Sequence, residues 1–503
     1  MNRPSTIGQL RSSGYTVRSV KDEIRSNLIE KINRKEPLFP GIIGFEHTVI
    51  PALVNAILAK HDIMLLGLRG QAKTRIVRQL PSLLDEYIPI VAGCEINDNP
   101  FHPVCKRCTD LVRERGEETQ VEWVHRDARL GEKLATPDVT IADLIGDIDP
   151  IKAASQRLHY SHEGAIHFGI IPRTNRGIFA INELPDLQPR IQVGLFNIMQ
   201  EKDIQIRGFN VRIPLDILIV FTANPEDYTN RGNIITPLKD RIDSQIFTHY
   251  PRDIEDAIRI TEQEASLSRG GRTISVPYYF KEIIEQIAFE ARKSEFVDQK
   301  SGVSARMTIA SMENLISNAE RRAILLGDTT IVPRICDLAH VLPGMTGKIE
   351  LVFEGEQEGP LKVGKALIGK AVRDVFKKYF PDPLLRKPQR GEGQQGRSSS
   401  EDAEYKSVIS WFEAGNKIEI SDEMPVDAYY RELSKAGNLR DLTIAHMKVP
   451  ADNVAELASA MEFALDGLHQ FSKIAKDEVD HTVEYKDLVG SIFRGRGKGE
   501  DDD

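Results

Sequence analysis

Long apolar runs are missing from this chain: nowhere do about 18 apolar residues follow one another, so no membrane-spanning helix is expected. Cysteine is scarce, with four in 503 residues, which excludes a disulfide scaffold. An excess of positive charge is also missing. Against 66 Lys and Arg stand 75 Asp and Glu, a formal charge of −9, so the chain has no global basic field for nucleic acid. The stretch Met1 to Ser12 is polar and has no apolar core of signal-peptide length, so the expected compartment is the cytoplasm.

What is present is ordinary globular composition, 41% hydrophobic and 28% charged, in a chain long enough for more than one domain. Its most informative stretch is the short apolar run Ile63-Met64-Leu65-Leu66 followed by Gly67-Leu68-Arg69-Gly70-Gln71-Ala72-Lys73-Thr74. A strand, a tight loop and a helix from Lys73 to about Leu84 are predicted. This is the P-loop arrangement, in which backbone N–H groups at a helix N-terminus cradle phosphates and the lysine offsets their charge. It departs from G-x-x-x-x-G-K-[ST] only at Ala72, where the pattern has its second glycine.

Two more apolar runs bounded by turn residues read as central parallel strands: Gly177 to Ile181, ending at Asn182-Glu183, and Asp216 to Ala223, ending at Asn224-Pro225. Ile88 to Gly93 is a further strand candidate, and 126–175 reads as loop-rich. Runs alternating with helical stretches such as Arg190 to Lys202 predict a doubly wound α/β domain. Expected boundaries are an N-terminal helical extension at 1–37, the α/β nucleotide-binding domain at 38–250 with an irregular Cys/His insertion near 94–125, and a helical domain at 251–385. A linker poor in apolar residues follows at 386–404, then a separate helical C-terminal domain at 405–493 and a disordered tail at 494–503. Gly41 and Gly44 read either as turns that bring a loop beside the nucleotide or as a simple loop-to-helix junction.

Phosphate transfer on a P-loop needs Mg²⁺, a positioned water and charge to offset the γ-phosphate. Lys73 would reach the β/γ-phosphates and the Thr74 hydroxyl would sit on Mg²⁺. Glu183, at the end of a neighbouring strand, has the type that polarises an attacking water. Asn182 stands where an aspartate would hold Mg²⁺ through water, so a carbonyl without charge occupies that place. Asn224 can orient the water or contact the γ-phosphate. Arg241 falls just before the helical region and Arg306 at a predicted helix start within it. Taken singly, Glu183 would be a solvated acid and the arginines surface ion-pair formers.

In this order, the P-loop, Asn182-Glu183, Asn224, Arg241 and Arg306 resemble an AAA+ ATPase, most of all the MoxR and magnesium-chelatase ATPase subunits. The Ala72-Lys73-Thr74 ending and the Gln192 to Glu201 stretch look like MoxR; Leu144 to Asp149, Gly164 to Gly177 and Leu238 to Arg241 look like chelatase. The resemblance spans roughly residues 38–345. It implies Lys73 and Thr74 as Walker A, Asn182 and Glu183 as Walker B, Asn224 as sensor 1, Arg241 as arginine finger and Arg306 as sensor 2. It also implies ATP and Mg²⁺ as cofactors, insertions around 140–175 as pore-side elements, and a homo-oligomeric ring, a hexamer. The implied function is coupling of ATP binding and hydrolysis to remodelling of a partner, or metal insertion into it. Magnesium chelatase itself and a nucleotide-gated scaffold are the alternatives. The chain has no Asp-x-Ser-x-Ser motif, so a von Willebrand-type domain would belong to a partner protein.

Cys94, His102, Cys105 and Cys108 form C-x7-H-x2-C-x2-C. Such a set suits a structural, tetrahedral Zn²⁺. The plainer reading is three reduced cysteines and a surface histidine. His159, His162 and His167 read as part of a solvated loop, and Cys336 as a core residue.

Overall fold

The computed structural model describes residues 3–155, 163–206, 212–225, 233–384, 402–479 and 482–488. The tail expected at 494–503, the linker expected at 386–404 apart from its last residues, and His159 and His162 lie outside the described residues. The chain forms two compact units, Met1–Tyr250 and Pro251–Asp503.

The first unit is built on a five-stranded sheet. Its strands are β1 (Ile63–Leu66), β2 (Leu130–Leu134), β3 (Gly177–Asn182), β4 (Ile217–Ala223) and β5 (Ser244–Phe247), in spatial order β5-β1-β4-β3-β2. Every neighbouring pair is parallel. The side-chain period of two explains why β1, β3 and β4 are unbroken apolar runs, since both faces are covered. Ile63, Leu65, Ile178, Ala180, Leu218 and Val220 pack on one face with the helices Val20–Asn33, Val49–Leu58 and Lys73–Gln79. Met64, Leu66, Phe179, Ile181, Ile219 and Phe221 fill the other face.

Three local differences from the sequence reading have plain causes. The strand expected at Ile88 to Gly93 forms as Tyr87–Val91, but it pairs antiparallel with Val121–His125, away from the main sheet. The fifth place in the sheet goes instead to β2, inside the stretch read as loop-rich. As an edge strand it needs no continuous apolar run, and Leu134 is exposed. The P-loop helix ends at Gln79 and continues as a 3-10 turn, Leu80–Leu83, because Pro81 has no N–H to extend the α-helix.

The N-terminal helix Val20–Asn33 is part of this unit's core. Its Val20 N–H donates to both carboxylate oxygens of Asp216, at 3.0 and 2.9 Å. Its Glu23 meets the fully buried Arg129 in a two-pronged ion pair, each N–O distance 2.7 Å.

In the second unit the helices Tyr278–Ala291, Ala305–Leu326 and Pro360–Tyr379 surround a single apolar cluster. The segment after residue 402 packs into that same cluster. Its helix Val454–Gln470 is buried along every position from Leu457 to Leu468, Glu462 and Asp466 included. Phe463 stacks on Tyr279 with ring centroids 4.6 Å apart. The segment also contributes a three-stranded antiparallel sheet from Ile418–Ser421, Ala475–Val479 and Thr482–Lys486. A polar linker sets how freely two segments can meet, not whether they do, so 386–404 carried no signal of this shared core.

Candidate functional site

Leu66 lies in register with Ala223 and with Phe247, so Gly67, Asn224 and Thr248 emerge side by side where the strands end. In open α/β sheets that edge is where ligands bind. The Gly67 N–H donates to the Ala223 carbonyl at 3.1 Å. A Cβ on Gly67 would lie 1.9 Å from Thr248 Oγ1 and 2.2 Å from Gln71 Oε1, so only glycine fits. The Thr248 hydroxyl donates to Gln71 Oε1 at 2.7 Å, and Tyr250 Oη donates to the Arg69 carbonyl at 2.9 Å. The loop is thus fixed at both shoulders.

Two loop residues have left-handed backbone, Gly70 at φ 75° and Ala72 at φ 54°. The consensus glycine at the second position therefore has a conformational reason, and Ala72 adopts the same turn at a steric cost. The turn brings Lys73 back under the loop. Its buried ammonium donates to the carbonyls of Gly67 at 2.5 Å and Leu68 at 2.9 Å. That folds the charge against the loop, where a P-loop takes phosphate. Thr74 follows, partly exposed, in the first turn of the helix.

Across the edge, β3 ends in Asn182, and Glu183 bends away at φ 55°, ψ 50° into a 3-10 turn. Asn182 is buried and its carboxamide is engaged at both ends. Its Nδ2 donates to Glu132 Oε1 at 2.6 Å, and its Oδ1 accepts from the Thr222 hydroxyl at 3.1 Å. Thr222 Oγ1 also accepts the Glu183 N–H at 3.2 Å. Glu132, on β2, in turn receives Arg78 of the P-loop helix, with Nε to Oε2 at 3.0 Å. Glu132 and Thr222 were not found in the sequence. Glu132 sits in the unrecognised edge strand, and Thr222 stands two residues before Asn224 in an otherwise apolar run. The buried Asn224 completes the row.

Arg241 ends the helix Thr236–Arg241. Its Nη1 donates to the Pro237 carbonyl at 2.8 Å, and its Nε and Nη2 point to Gln200 Oε1 at 3.3 and 3.2 Å. The guanidinium lies 4.8 Å over the Phe196 ring. Arg306 is in the second unit, exposed in the first turn of Ala305–Leu326, with its N–H capped by Ser304 Oγ at 3.1 Å. Gly41 and Gly44 have φ of 74° and 80°, and their loop is tied to the P-loop helix by Gln79 Nε2 donating to the Pro40 carbonyl at 2.8 Å.

The cysteines form a second site. Ligand atoms of Cys94, Asp98, Cys105 and Cys108 all lie within 4.8 Å of one another. His102, expected as the fourth ligand, is exposed and outside this group, and the residue gathered with the three cysteines is Asp98. The cause is local: the Asn99–His102 bridge turns the chain so that Asp98 faces inward. Cys105 caps the helix Lys106–Arg115 and Cys108 lies in its first turn; the neighbouring thiols and burial push the Cys105 thiol up, and the Cys94 thiol and burial push the Cys108 thiol up. Hydrogen bonds from Cys105 and Cys108 hold the Cys94 thiol far down, to about 3. Burial, and then the Cys94 charge, push the Asp98 carboxyl up to about 6.

A cavity of about 720 Å³ in the second unit is lined by Lys365, Arg373, Asp466 and Lys476. Its buried Lys476 is already paired with Asp466 at 2.9 Å.

Strand order, P-loop and acidic strand end together make the first unit a parallel α/β P-loop domain. No family model and no curated protein matches the chain. Among solved structures, a provisionally assigned ATPase from Cytophaga hutchinsonii is 17% identical, covering 72% of this chain and 97% of its own, at a TM-score of 0.29. A model of the BchI–BchD complex of magnesium chelatase is 20% identical, covering 64% of this chain and 98% of its own, at 0.34. NtrX from Brucella abortus in complex with ATP is 13% identical, covering 70% and 67%, at 0.36. At such TM-scores these likenesses carry no argument about function. Among the described residues no helix is long and apolar enough to cross a membrane.

Proposed function

We propose that this chain is an ATP-binding AAA+ ATPase of the MoxR and magnesium-chelatase type. It would couple ATP binding and hydrolysis to remodelling of a partner protein, or to metal insertion into it. The observation that carries the reading is the row at the strand ends: Lys73 folded beneath the P-loop, with Asn224 and Asn182-Glu183 on the next two strands. In this reading Gly67 to Thr74 hold the phosphates of ATP and Thr74 meets Mg²⁺. Glu183 orients water and Asn224 contacts the γ-phosphate. Arg241 acts on a neighbouring subunit's nucleotide in a homo-oligomeric ring, a hexamer, and Arg306 senses the nucleotide from the helical unit. The partner carries a von Willebrand-type domain, and the setting is the cytoplasm.

Asn182 brings no charge to Mg²⁺. Glu132 brings one within 2.6 Å of the Asn182 amide, shared with Arg78. The carboxylate that a P-loop ATPase keeps on its acidic strand is thereby supplied from the neighbouring strand.

Turnover and nucleotide binding of the wild type, Lys73→Ala, Glu183→Gln and Asn182→Asp test the proposal. Lys73→Ala should abolish ATP binding, and Glu183→Gln should bind ATP without hydrolysing it. Unchanged affinity in Lys73→Ala would refute the site. Turnover only in Asn182→Asp would favour the alternative of a nucleotide-gated scaffold. ATP-dependent Mg²⁺ insertion into a porphyrin, with the partner present, would favour chelatase itself.

A further inference from the structure

We propose that Cys94, Asp98, Cys105 and Cys108 bind one Zn²⁺ ion, with Asp98 and not His102 as the fourth ligand. The donor chemistry points there first. Cysteine sulfur and carboxylate oxygen are both zinc donors, and four protein donors complete a tetrahedron with no position left open for substrate, as in structural sites. Around a tetrahedral zinc with metal–sulfur bonds of about 2.3 Å, donors stand about 3.8 Å apart. The observed group, within 4.8 Å, is already gathered to near that spacing.

An independent observation comes from Asp98. The residue is fully buried, and its Oδ1 is buried with no hydrogen-bond partner, while Oδ2 accepts the Cys105 N–H at 2.9 Å. A carboxylate oxygen left unpaired in the interior is costly unless a cation meets it. The sulfurs are prepared as well. Cys94 Sγ accepts the Asp98 N–H at 3.3 Å and Cys105 Sγ accepts the Cys108 N–H at 3.4 Å, bonds that spread thiolate charge into the backbone.

The site also has a mechanical role. Between two ligands, Asn97 Nδ2 donates to the carbonyls of Arg173 at 3.0 Å and Asn175 at 3.3 Å. Asn175 returns a bond to the Ile96 carbonyl at 3.1 Å, and its Oδ1 accepts the Asp216 N–H at 2.9 Å. Residues 175 and 216 lead directly into β3 and β4, the strands that end in Asn182 and just before Asn224. Zinc here would pin the roots of the two strands whose tips form the candidate nucleotide edge.

Elemental analysis and chelator competition on the full chain test this, with His102→Ala, Asp98→Ala and Cys108→Ser beside the wild type. One zinc per chain is expected in the wild type and in His102→Ala. Asp98→Ala should lose more than about a hundredfold in zinc affinity, beyond the effect of an outer partner. Should Cys108→Ser fail to fold, Co²⁺ titration of chelated wild type still decides. A tetrahedral thiolate–cobalt spectrum that changes in Asp98→Ala and not in His102→Ala supports the assignment. Free thiols with no zinc uptake, a disulfide among the three, or zinc lost from His102→Ala but kept by Asp98→Ala would overturn it.

Discussion

Replacing Arg129 by methionine should destabilise the first unit by about 3–5 kcal/mol, the usual loss when one partner of a buried ion pair is removed. The structure sets out why. Arg129 is almost wholly buried, its two terminal nitrogens each meet a Glu23 oxygen at 2.7 Å, and its Nε donates to the Arg176 carbonyl at 2.8 Å. Loss of the guanidinium leaves the Glu23 carboxylate in the interior, still accepting the Asp85 N–H at 2.6 Å but without its countercharge. For a unit of this size about 2–4 °C of Tm goes with each kcal/mol, so a drop on the order of 10 °C is expected. The assay is urea or thermal unfolding followed by Trp123 fluorescence in a Trp411→Phe background, since the two tryptophans lie in different units. The double variant Glu23→Gln/Arg129→Met removes the charge as well, so it should lose less than Arg129→Met alone. A loss below about 1 kcal/mol in Arg129→Met, or a double variant no better than the single one, would refute the reasoning. Confirmation would also establish that the segment before residue 38 is an integral layer of the domain.

Ala72→Gly should stabilise the first unit by about 0.5–1 kcal/mol without weakening ATP, because Ala72 adopts φ 54°; a lower Tm would contradict this. Glu132→Gln should raise the Mg²⁺ concentration needed for turnover while leaving metal-free nucleotide binding intact, and restoration by adding Asn182→Asp is the confirming result; an unchanged Mg²⁺ requirement contradicts it. Glu285 is buried beneath the Thr261 hydroxyl, and burial pushes its carboxyl from 4.5 up to about 7. The folded form therefore holds a proton that the unfolded form releases, so stability is full below about pH 4.5 and falls by about 3 kcal/mol as pH rises to about 7. Glu285→Gln should flatten that decline in pH-dependent denaturation of the second unit; an unchanged slope would count against it.

What the sequence disclosed followed physical lines. β1, β3 and β4 are covered on both faces, so their apolar runs stood out. β2, at the edge, mixes Glu132 and Lys133 with leucines, and its place in the sheet was illegible; Glu132 was overlooked with it. The cysteine spacing drew attention to the right loop. Yet His102, nearer Cys105 in sequence, looked the better ligand than Asp98, whose inward turn only the backbone reveals. In the C-terminal segment, Phe412 and Tyr429 lie in the shared apolar cluster. Which core the segment joined depended on contacts such as those of Phe463 with Tyr279 and Phe376, more than 80 residues away.

The left-handed backbone of Glu183 has an evolutionary consequence. A side chain at φ 55° is held in a conformation that glycine or asparagine would adopt more readily. Drift toward either residue would gain stability and, on the proposed role, silence the enzyme. Selection for robustness and selection for turnover therefore pull this one position in opposite directions. Descendants that have traded Glu183 for glycine or asparagine while keeping Lys73 would be recognisable from sequence as binders that have given up hydrolysis.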